Sequence, residues 1–178
     1  MSEAYSIRLA KERLTFSAAH FITYDGDVCE PLHGHNYHVE AVLEGPLDEN
    51  SYVVDFLAVR DALQAIVDQF DHRVLLPTGH RTIRVTRQGD EVVAAHGDRR
   101  WIFPQGDCVL LDVANTTAEL LARHIADQLR ERLPHAAAGL TRLEVAVDEC
   151  DGQWGRYAWR AGRCDRISAI VCGCSSIT

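Results

Sequence analysis

Long apolar runs and lysine are both scarce in this sequence, and each shortage excludes a class of function. The chain contains no run of about 18 apolar residues, so no transmembrane helix is expected. Met1 to Glu12 lacks the apolar segment of a secretory signal, and we therefore expect a cytoplasmic protein. Lys11 is the single lysine among 18 basic residues, and the net charge is -8. General nucleic-acid binding requires a basic surface, so this charge argues against it.

The cysteines do not form the pattern of a secreted disulfide scaffold. Six cysteines are spread over 178 residues, whereas disulfide-stabilised domains are short and cysteine-dense. We therefore expect free thiols. Cys172 and Cys174 form a C-x-C pair, which is a weak metal-binding signal, and residues 161–178 are expected to be a C-terminal tail. The whole chain, 1–178, is most simply one domain with a buried core.

Apolar periodicity predicts an α+β fold. Alternation predicts strands over residues 5–16, 36–44, 143–149 and 154–159, with a loop over 17–32. Helical spacing predicts one helix that Asp55 caps and that ends near Phe70, and a second that Thr116 or Thr117 caps and that ends at Pro134. Three short strand-like runs at 81–87, 91–96 and 99–103 predict a β-rich flap inserted at about 78–113.

Three histidines and a cysteine lie close together between residues 20 and 35. His33 and His35 share one face of a strand, because side chains alternate with period two. His20, near the end of the first predicted strand, would join them if the two strands pair. Three imidazoles with an open fourth position are typical of a catalytic zinc site. An H-x-H pair alone is more often two ordinary polar residues, but His20 and Cys29 nearby favour a metal site.

Cys29 has three possible roles at this site. It can be a fourth zinc ligand, which would close the site and make it structural. It can be a nucleophile or base that the neighbouring positive charge activates as a thiolate. It can also be a buried, inert thiol. Glu30 is a competing general base, and the spacing does not choose among these roles.

Acidic and hydroxyl groups elsewhere supply further candidates. Asp71 and His72 can form a proton relay, although adjacent residues rarely orient each other, so both are expected to point at a third group such as Cys29. The alternative is that His72 interacts with a helix dipole. Glu149 can bind the N–H and NH₂ groups of a heterocycle, but a solvated strand end is the simpler explanation of this residue taken alone. Thr116 and Thr117 can cap a helix or offer its N-terminus to a ligand.

The order of these motifs resembles the 6-pyruvoyl-tetrahydropterin synthase / 6-carboxy-tetrahydropterin synthase family over roughly residues 5–160. The resemblance rests on Phe16-Ser17-Ala18-Ala19-His20, Cys29-x-x-x-His33-Gly34-His35-Asn36-Tyr37, Asp55-Phe56, Asp71-His72, Thr117-Ala118-Glu119 and Glu149. The Cys-x₃-His-Gly-His motif with an upstream histidine is specific, and the remaining matches are individually weaker. The flap and the segment after Glu149 depart from the family pattern.

This resemblance implies a fold, a site and an assembly. The fold would be a tunnelling fold (T-fold), an antiparallel four-stranded sheet with two helices on one face. His20, His33 and His35 would hold Zn²⁺, Cys29 would accept a proton, and Asp71 with His72 would complete the relay across a subunit boundary. Glu149 would anchor the pterin, and the Thr116–Thr117 region would line the pocket. The protein would be a homo-oligomer, a trimer or a dimer of trimers.

The resemblance also implies the reaction. The expected enzyme is a zinc-dependent lyase that converts 7,8-dihydroneopterin triphosphate to 6-carboxy-5,6,7,8-tetrahydropterin, a step of queuosine biosynthesis. The three-residue gap between Cys29 and His33 resembles the bacterial 6-carboxy enzymes, whereas Glu30 resembles a folate-branch variant that uses a glutamate there. The alternatives are a 6-pyruvoyl-tetrahydropterin synthase, a divergent homologue such as an aldolase or epimerase that acts on a related pterin, and a non-catalytic zinc- or pterin-binding module.

Overall fold

The structure, a computed structural model, describes residues 3–133 and 139–162. Within this part of the chain the strands are β1 (Tyr5–His20), β2 (Thr23–Tyr24), β3 (Val28–Cys29), β4 (His33–Gly45), β5 (Arg73–Pro77), β6 (Arg84–Gln88), β7 (Glu91–His96), β8 (Arg99–Pro104), β9 (Cys108–Leu111), β10 (Arg142–Asp148) and β11 (Trp154–Arg160). The helices are α1 (Phe56–Val67) and α2 (Ala118–Arg132), with one turn of 3₁₀ helix at Gln105–Asp107. The C-x-C pair and most of the expected tail lie outside the described residues.

The main sheet is larger than the sequence predicts. Among the described residues its strand order is β11-β10-β4-β1-β5-β9. The first four strands pair antiparallel, but β5 and β9 add to the β1 edge in parallel. The expectation of a four-stranded antiparallel sheet is therefore wrong for the whole sheet, which has six strands and is mixed. The short apolar runs in β5 and β9 gave no alternating pattern, because parallel strands covered on both faces do not alternate.

One apolar core lies between the sheet and the two helices. Inward residues of β1, β4 and β10 pack with α1 and α2 in a single cluster of buried side chains. Asp55 caps α1 as predicted, because its Oδ1 accepts the backbone N–H of Leu57 at 2.8 Å. The helix ends at Val67, slightly before the predicted Phe70. Thr117 is the first residue before α2, but its side chain makes no capping hydrogen bond in the described structure.

The first strand is longer than predicted and passes a bulge between Ala10 and Thr15. It continues to His20, so the end of β1 pairs with the start of β4, and His20 lies directly opposite His33. The segment predicted as loop also contains the small hairpin β2–β3, in which Thr23 pairs with Cys29. The extended β1 and this hairpin together bring the His/Cys residues to one end of the sheet.

The predicted flap is a separate small sheet. Strands β6, β7 and β8 pair antiparallel in sequence order, and they pack through a second apolar cluster that contains Phe21 and Leu76. Phe21 stacks on Trp101 of β8 at a centroid distance of 4.4 Å. The flap therefore lies against the segment that follows His20. The described chain has no helix that is both long and apolar enough to span a membrane.

Candidate metal centre

The pairing of β1 with β4 brings three imidazoles together. His20 and His33 face each other in the register, and His35 lies opposite Ala18. His20, His33 and His35 each offer a ligand atom, and these atoms lie within 4.8 Å of one another. The ring centroids are 4.7 to 5.3 Å apart. The structure therefore brings together the three histidines that the sequence selected.

Backbone carbonyls fix the orientation of two of the rings. Nδ1–H of His20 donates to the carbonyl of Thr116 at 2.9 Å, and Nδ1–H of His33 donates to the carbonyl of Pro31 at 2.9 Å. Metal-binding histidines usually donate a hydrogen bond from the ring nitrogen that does not bind the metal. Here that bond keeps the proton on Nδ1 and leaves the lone pair of Nε2 free to bind a metal. Burial lowers the pKa of His35, which favours the neutral form that binds metal.

The buried Nε2 atom of His20 indicates whether the site suits a cation. The His20 side chain is fully buried, and its Nε2 has no hydrogen-bond partner among the described residues. Oε1 of Glu149 is 3.2 Å away, but with Nδ1 already donating, a neutral His20 has only a lone pair to offer there. A buried lone pair beside a carboxylate is unfavourable unless a positive charge lies near both. The donor set therefore fits a divalent metal such as zinc.

Glu149 is held close to the histidines rather than at a solvated strand end. Asp148 accepts the backbone N–H groups of Gly152 and Gln153 and so fixes the turn after β10. Oε1 of Glu149 lies 3.8 Å from Nε2 of His35, and the hydroxyl of Tyr37 donates to it at 3.5 Å. A positive charge next to this carboxyl, which in the metal-free chain only a protonated His20 donating through Nε2 would supply, lowers the pKa of Glu149. The carboxylate is therefore ionised at neutral pH.

Cys29 is not part of the group of three histidines in the described structure, although its neighbour Glu30 approaches that group. Within the described residues that group consists of the three histidines. The Cys29 thiol donates to the carbonyl of Glu30 at 3.5 Å, and the Glu30 carboxylate lies 3.8 Å from Nε2 of His33. Burial raises the pKa of the Cys29 thiol, and the charge of Arg99 opposes this rise. The protein groups described here therefore do not by themselves favour the thiolate.

Asp71 and His72 form a direct pair, contrary to the expectation that both point at a third group. Oδ2 of Asp71 lies 2.9 Å from Nδ1 of His72. His72 has a left-handed backbone, φ 57°, which is uncommon for a non-glycine residue and turns its ring back onto Asp71. The pair lies beyond the end of α1, so the helix-dipole interpretation does not apply. In the described structure no hydrogen bond or ion pair joins this pair to Cys29, but His72 and His35 line one open cavity of about 500 Å³.

Thr116 and Thr117 differ in what they contact. Thr116 is fully buried, its hydroxyl donates to the carbonyl of Phe21 at 3.3 Å, and its own carbonyl orients His20. Thr117 is partly exposed at the start of α2. Thr116 thus orients one of the three histidines of the candidate metal site, and a substrate contact by either threonine stays a prediction.

Sequence reasoning missed the groups that orient the candidate residues. The carbonyls of Thr116 and Pro31 carry no side-chain signal, and Arg99 lies about 70 residues after the cysteine whose carbonyl it contacts. No periodicity or motif identifies such partners, because the contacts depend on how the flap packs.

The comparisons with known proteins agree with the arrangement of the three histidines. A family model described as 6-pyruvoyl tetrahydropterin synthase matches residues 9–159, which include the whole candidate site. The chain belongs to this family. The match confirms the resemblance read from the Cys-x₃-His-Gly-His motif.

Individual members of the 6-pyruvoyl tetrahydropterin synthase family cover most of the chain. A Methanocaldococcus jannaschii protein with the provisional name 6-carboxy-5,6,7,8-tetrahydropterin synthase is 30% identical over 146 residues, which is 81% of this chain and 89% of that protein. The Aquifex aeolicus 6-carboxy-5,6,7,8-tetrahydropterin synthase is 30% identical over 132 residues, 72% of this chain and 75% of that protein.

A solved member of the family has the same fold. The crystal structure of 6-pyruvoyl tetrahydropterin synthase from Plasmodium vivax superposes with a TM-score of 0.83 at 27% sequence identity, and the match covers 90% of this chain and 100% of that one. This likeness confirms an α+β T-fold for the present protein. Other structures of the same Plasmodium vivax enzyme are of variants in which a catalytic glutamate is replaced by alanine or by cysteine.

Proposed function

We propose that this protein is a zinc-dependent lyase that converts 7,8-dihydroneopterin triphosphate to 6-carboxy-5,6,7,8-tetrahydropterin. The observation that carries the proposal is the converging group of His20, His33 and His35, with a buried Nε2 that has no hydrogen-bond partner in the described structure. The relatives named 6-carboxy-tetrahydropterin synthases support the choice of product. Zinc held by these imidazoles would act as a Lewis acid that stabilises negative charge on the substrate side chain.

The surrounding side chains have separate roles in the proposed reaction. Glu149, ionised and adjacent to the histidines, accepts hydrogen bonds from the pterin ring and orients it. Cys29 removes a proton from the substrate side chain, since its thiol does not belong to the histidine group and the adjacent Glu30 approaches His33. Asp71 fixes the ring of His72 at 2.9 Å, and His72 moves a proton as a relay. Triphosphate leaves by C–O cleavage, water adds to the side-chain carbonyl next to the ring, and C–C cleavage then releases the other two side-chain carbons as acetaldehyde and leaves the carboxyl group.

The proposal extends to the assembly and the domain. We propose a homo-oligomer, a trimer or a dimer of trimers, in which the Asp71–His72 pair of one subunit completes the site of its neighbour. The His72 side chain is 83% exposed, so it is accessible to a neighbouring subunit. We also propose that the chain is one domain with the flap as an insertion.

A second candidate is supported by Glu30. The Plasmodium vivax relative is named a 6-pyruvoyl tetrahydropterin synthase and has a catalytic glutamate, and in the present chain the Glu30 carboxylate approaches His33. In this alternative Glu30 is the base, and the product is 6-pyruvoyl-tetrahydropterin or another pterin.

The deciding experiment incubates the zinc-loaded protein with 7,8-dihydroneopterin triphosphate and identifies the product by mass spectrometry. The proposal expects the 6-carboxy product, with Cys29→Ala retaining zinc and losing at least about 100-fold in kcat. Glu30→Gln is the matched variant and should lose far less. The second candidate would be favoured if the product is 6-pyruvoyl-tetrahydropterin and the large fall in kcat occurs in Glu30→Gln instead of Cys29→Ala. If Cys29→Ala loses zinc, Cys29 is a ligand and the lyase proposal is wrong about its role.

A further inference from the structure

The inserted flap contacts the loop that carries Cys29 at several consecutive positions. Arg81 donates to the carbonyl of Gly26. The Asp27 carboxylate accepts the hydroxyl of Thr82 at 2.6 Å and lies 2.9 Å from Nε2 of His96. These bonds join segments far apart in the sequence. The loop between β2 and β3 is therefore held from the flap side as well as by its own hairpin.

Arg99 makes the flap contact that reaches the candidate proton acceptors. Its NH1 donates to the carbonyl of Cys29 at 2.8 Å and to the carbonyl of Glu30 at 3.1 Å. The Glu30 carbonyl is also the group to which the Cys29 thiol donates. Arg99 thus fixes the carbonyl that accepts the thiol hydrogen bond and so sets the direction of the thiol.

The guanidinium of Arg99 is itself held in place. It lies 4.7 Å from the centroid of the Trp101 ring, a cation–π contact that restricts its motion. Trp101 in turn stacks on Phe21, the residue after His20. One chain of contacts thus runs from the backbone beside a metal ligand, through Phe21, Trp101 and Arg99, to Cys29.

We propose that Arg99 is a positioning residue that couples the inserted flap to the reaction loop and sets the placement of Cys29 and Glu30. Its role as a contributor to catalysis rests on the proposed function, whereas its role as a clamp on the loop does not. Arginine suits the position because its planar guanidinium donates to both carbonyls while it stacks on the indole. In this proposal the flap holds the loop that carries Cys29 and Glu30 in place.

The test compares Arg99→Gln and Arg99→Lys with Arg100→Gln. Arg100 is the next residue of β8 and is exposed, so its variant makes the same change of charge on the same strand. Arg99→Gln should lower kcat by about 10- to 100-fold with KM within about twofold, since a small misplacement of a reacting group has effects of this size. Zinc content should not change. Arg99→Lys should be intermediate, and Arg100→Gln should match the wild type.

Hydrogen exchange measures the clamp without substrate. In Arg99→Gln, amides of a peptide covering residues 26–30 should exchange at least about tenfold faster, while those of β10 stay unchanged. Unchanged exchange at 26–30, or faster exchange throughout β1, β4 and β10, would overturn the proposal. A fall in kcat equal to that of Arg100→Gln would overturn it as well. If the wild-type protein shows no turnover, the proposed function fails, and the exchange data still decide whether Arg99 holds the loop.

Discussion

The Asp71 carboxylate shows how one residue links local backbone to the candidate chemistry. Its Oδ1 accepts the backbone N–H of Ser17 at 2.8 Å, and its Oδ2 contacts His72. The bond from Ser17 is the main cause that lowers the pKa of Asp71. Asp71 therefore both ties the loop after α1 to β1 and holds the imidazole that we propose as a relay.

The lowered pKa of Asp71 predicts a dependence of stability on pH. A carboxyl whose folded pKa lies below its unfolded value stabilises the fold above the unfolded value, and this contribution is lost as pH falls through the folded pKa. At pH 7, Asp71→Asn should therefore lower the free energy of unfolding by about 0.5–1 kcal/mol, a discounted value because the side chain is 42% exposed. The difference in the free energy of unfolding between the variant and wild type should become smaller as pH falls below about 5. Urea denaturation at several pH values measures this difference.

Asp98→Asn is the control for this prediction. Asp98 lies in the exposed turn between β7 and β8, so its replacement should change stability little at any pH. The difference in the free energy of unfolding between wild type and Asp71→Asn could also prove independent of pH. That result would show that the charge of Asp71 is not what stabilises the loop.

At the scale of elements, β11 packs closely against the start of α2. A Cβ on Gly155 would lie 2.5 Å from the carbonyl carbon of Ala118 and from the backbone nitrogen of Glu119. These are backbone atoms, so they cannot move aside as a flexible side chain would. The absence of a side chain at Gly155 is what allows this strand and helix to approach.

Gly155→Ala should therefore destabilise the protein by about 1–3 kcal/mol, the usual effect of overpacking. Chemical denaturation measures the change. Gly106→Ala is the matched control, because a Cβ there meets no atom within 4 Å, and its effect should stay within about 0.5 kcal/mol. Equal effects of the two substitutions would contradict the packing argument.

At the scale of the whole molecule, the candidate metal site and the core occupy different places. The three histidines lie at one end of the sheet, whereas the core between sheet and helices consists of apolar side chains. Chelation should abolish the proposed activity and leave the far-UV circular dichroism largely unchanged. The melting temperature should fall, because bound metal at 100 times its Kd contributes about 2.7 kcal/mol. A fully unfolded spectrum after chelation would contradict this prediction.

The proposed sharing of the Asp71–His72 pair between subunits also belongs to this scale. Cys29→Ala and His72→Ala, each inactive alone, should regain activity when unfolded together and reassembled. If each site takes Cys29 from one subunit and His72 from its neighbour, random mixing of the two variants gives both native residues in about a quarter of the sites. Mixing the same variants without unfolding is the control. No recovery after reassembly would indicate that His72 acts within its own chain, through the cavity it shares with His35.

The sequence by itself predicted the three candidate metal ligands, the two helices and most antiparallel strands. These follow from local rules: side chains alternate along a strand, apolar residues recur at helical spacing, and His33 and His35 share a face whatever lies around them. The same rules predicted the flap strands. They failed for β5 and β9, because those strands are short and pair in parallel with partners distant along the chain.

Only the tertiary structure decided how the site is oriented. The carbonyls that fix His20 and His33, the approach of Glu149 and the bonds from Arg99 to the Cys29 loop join residues that no short-range pattern connects. Asp71 pairs with His72, which has a left-handed backbone, and the sequence signals neither feature. The choice of candidate ligands thus follows from local spacing, whereas their orientation, protonation and support depend on the packing of distant segments.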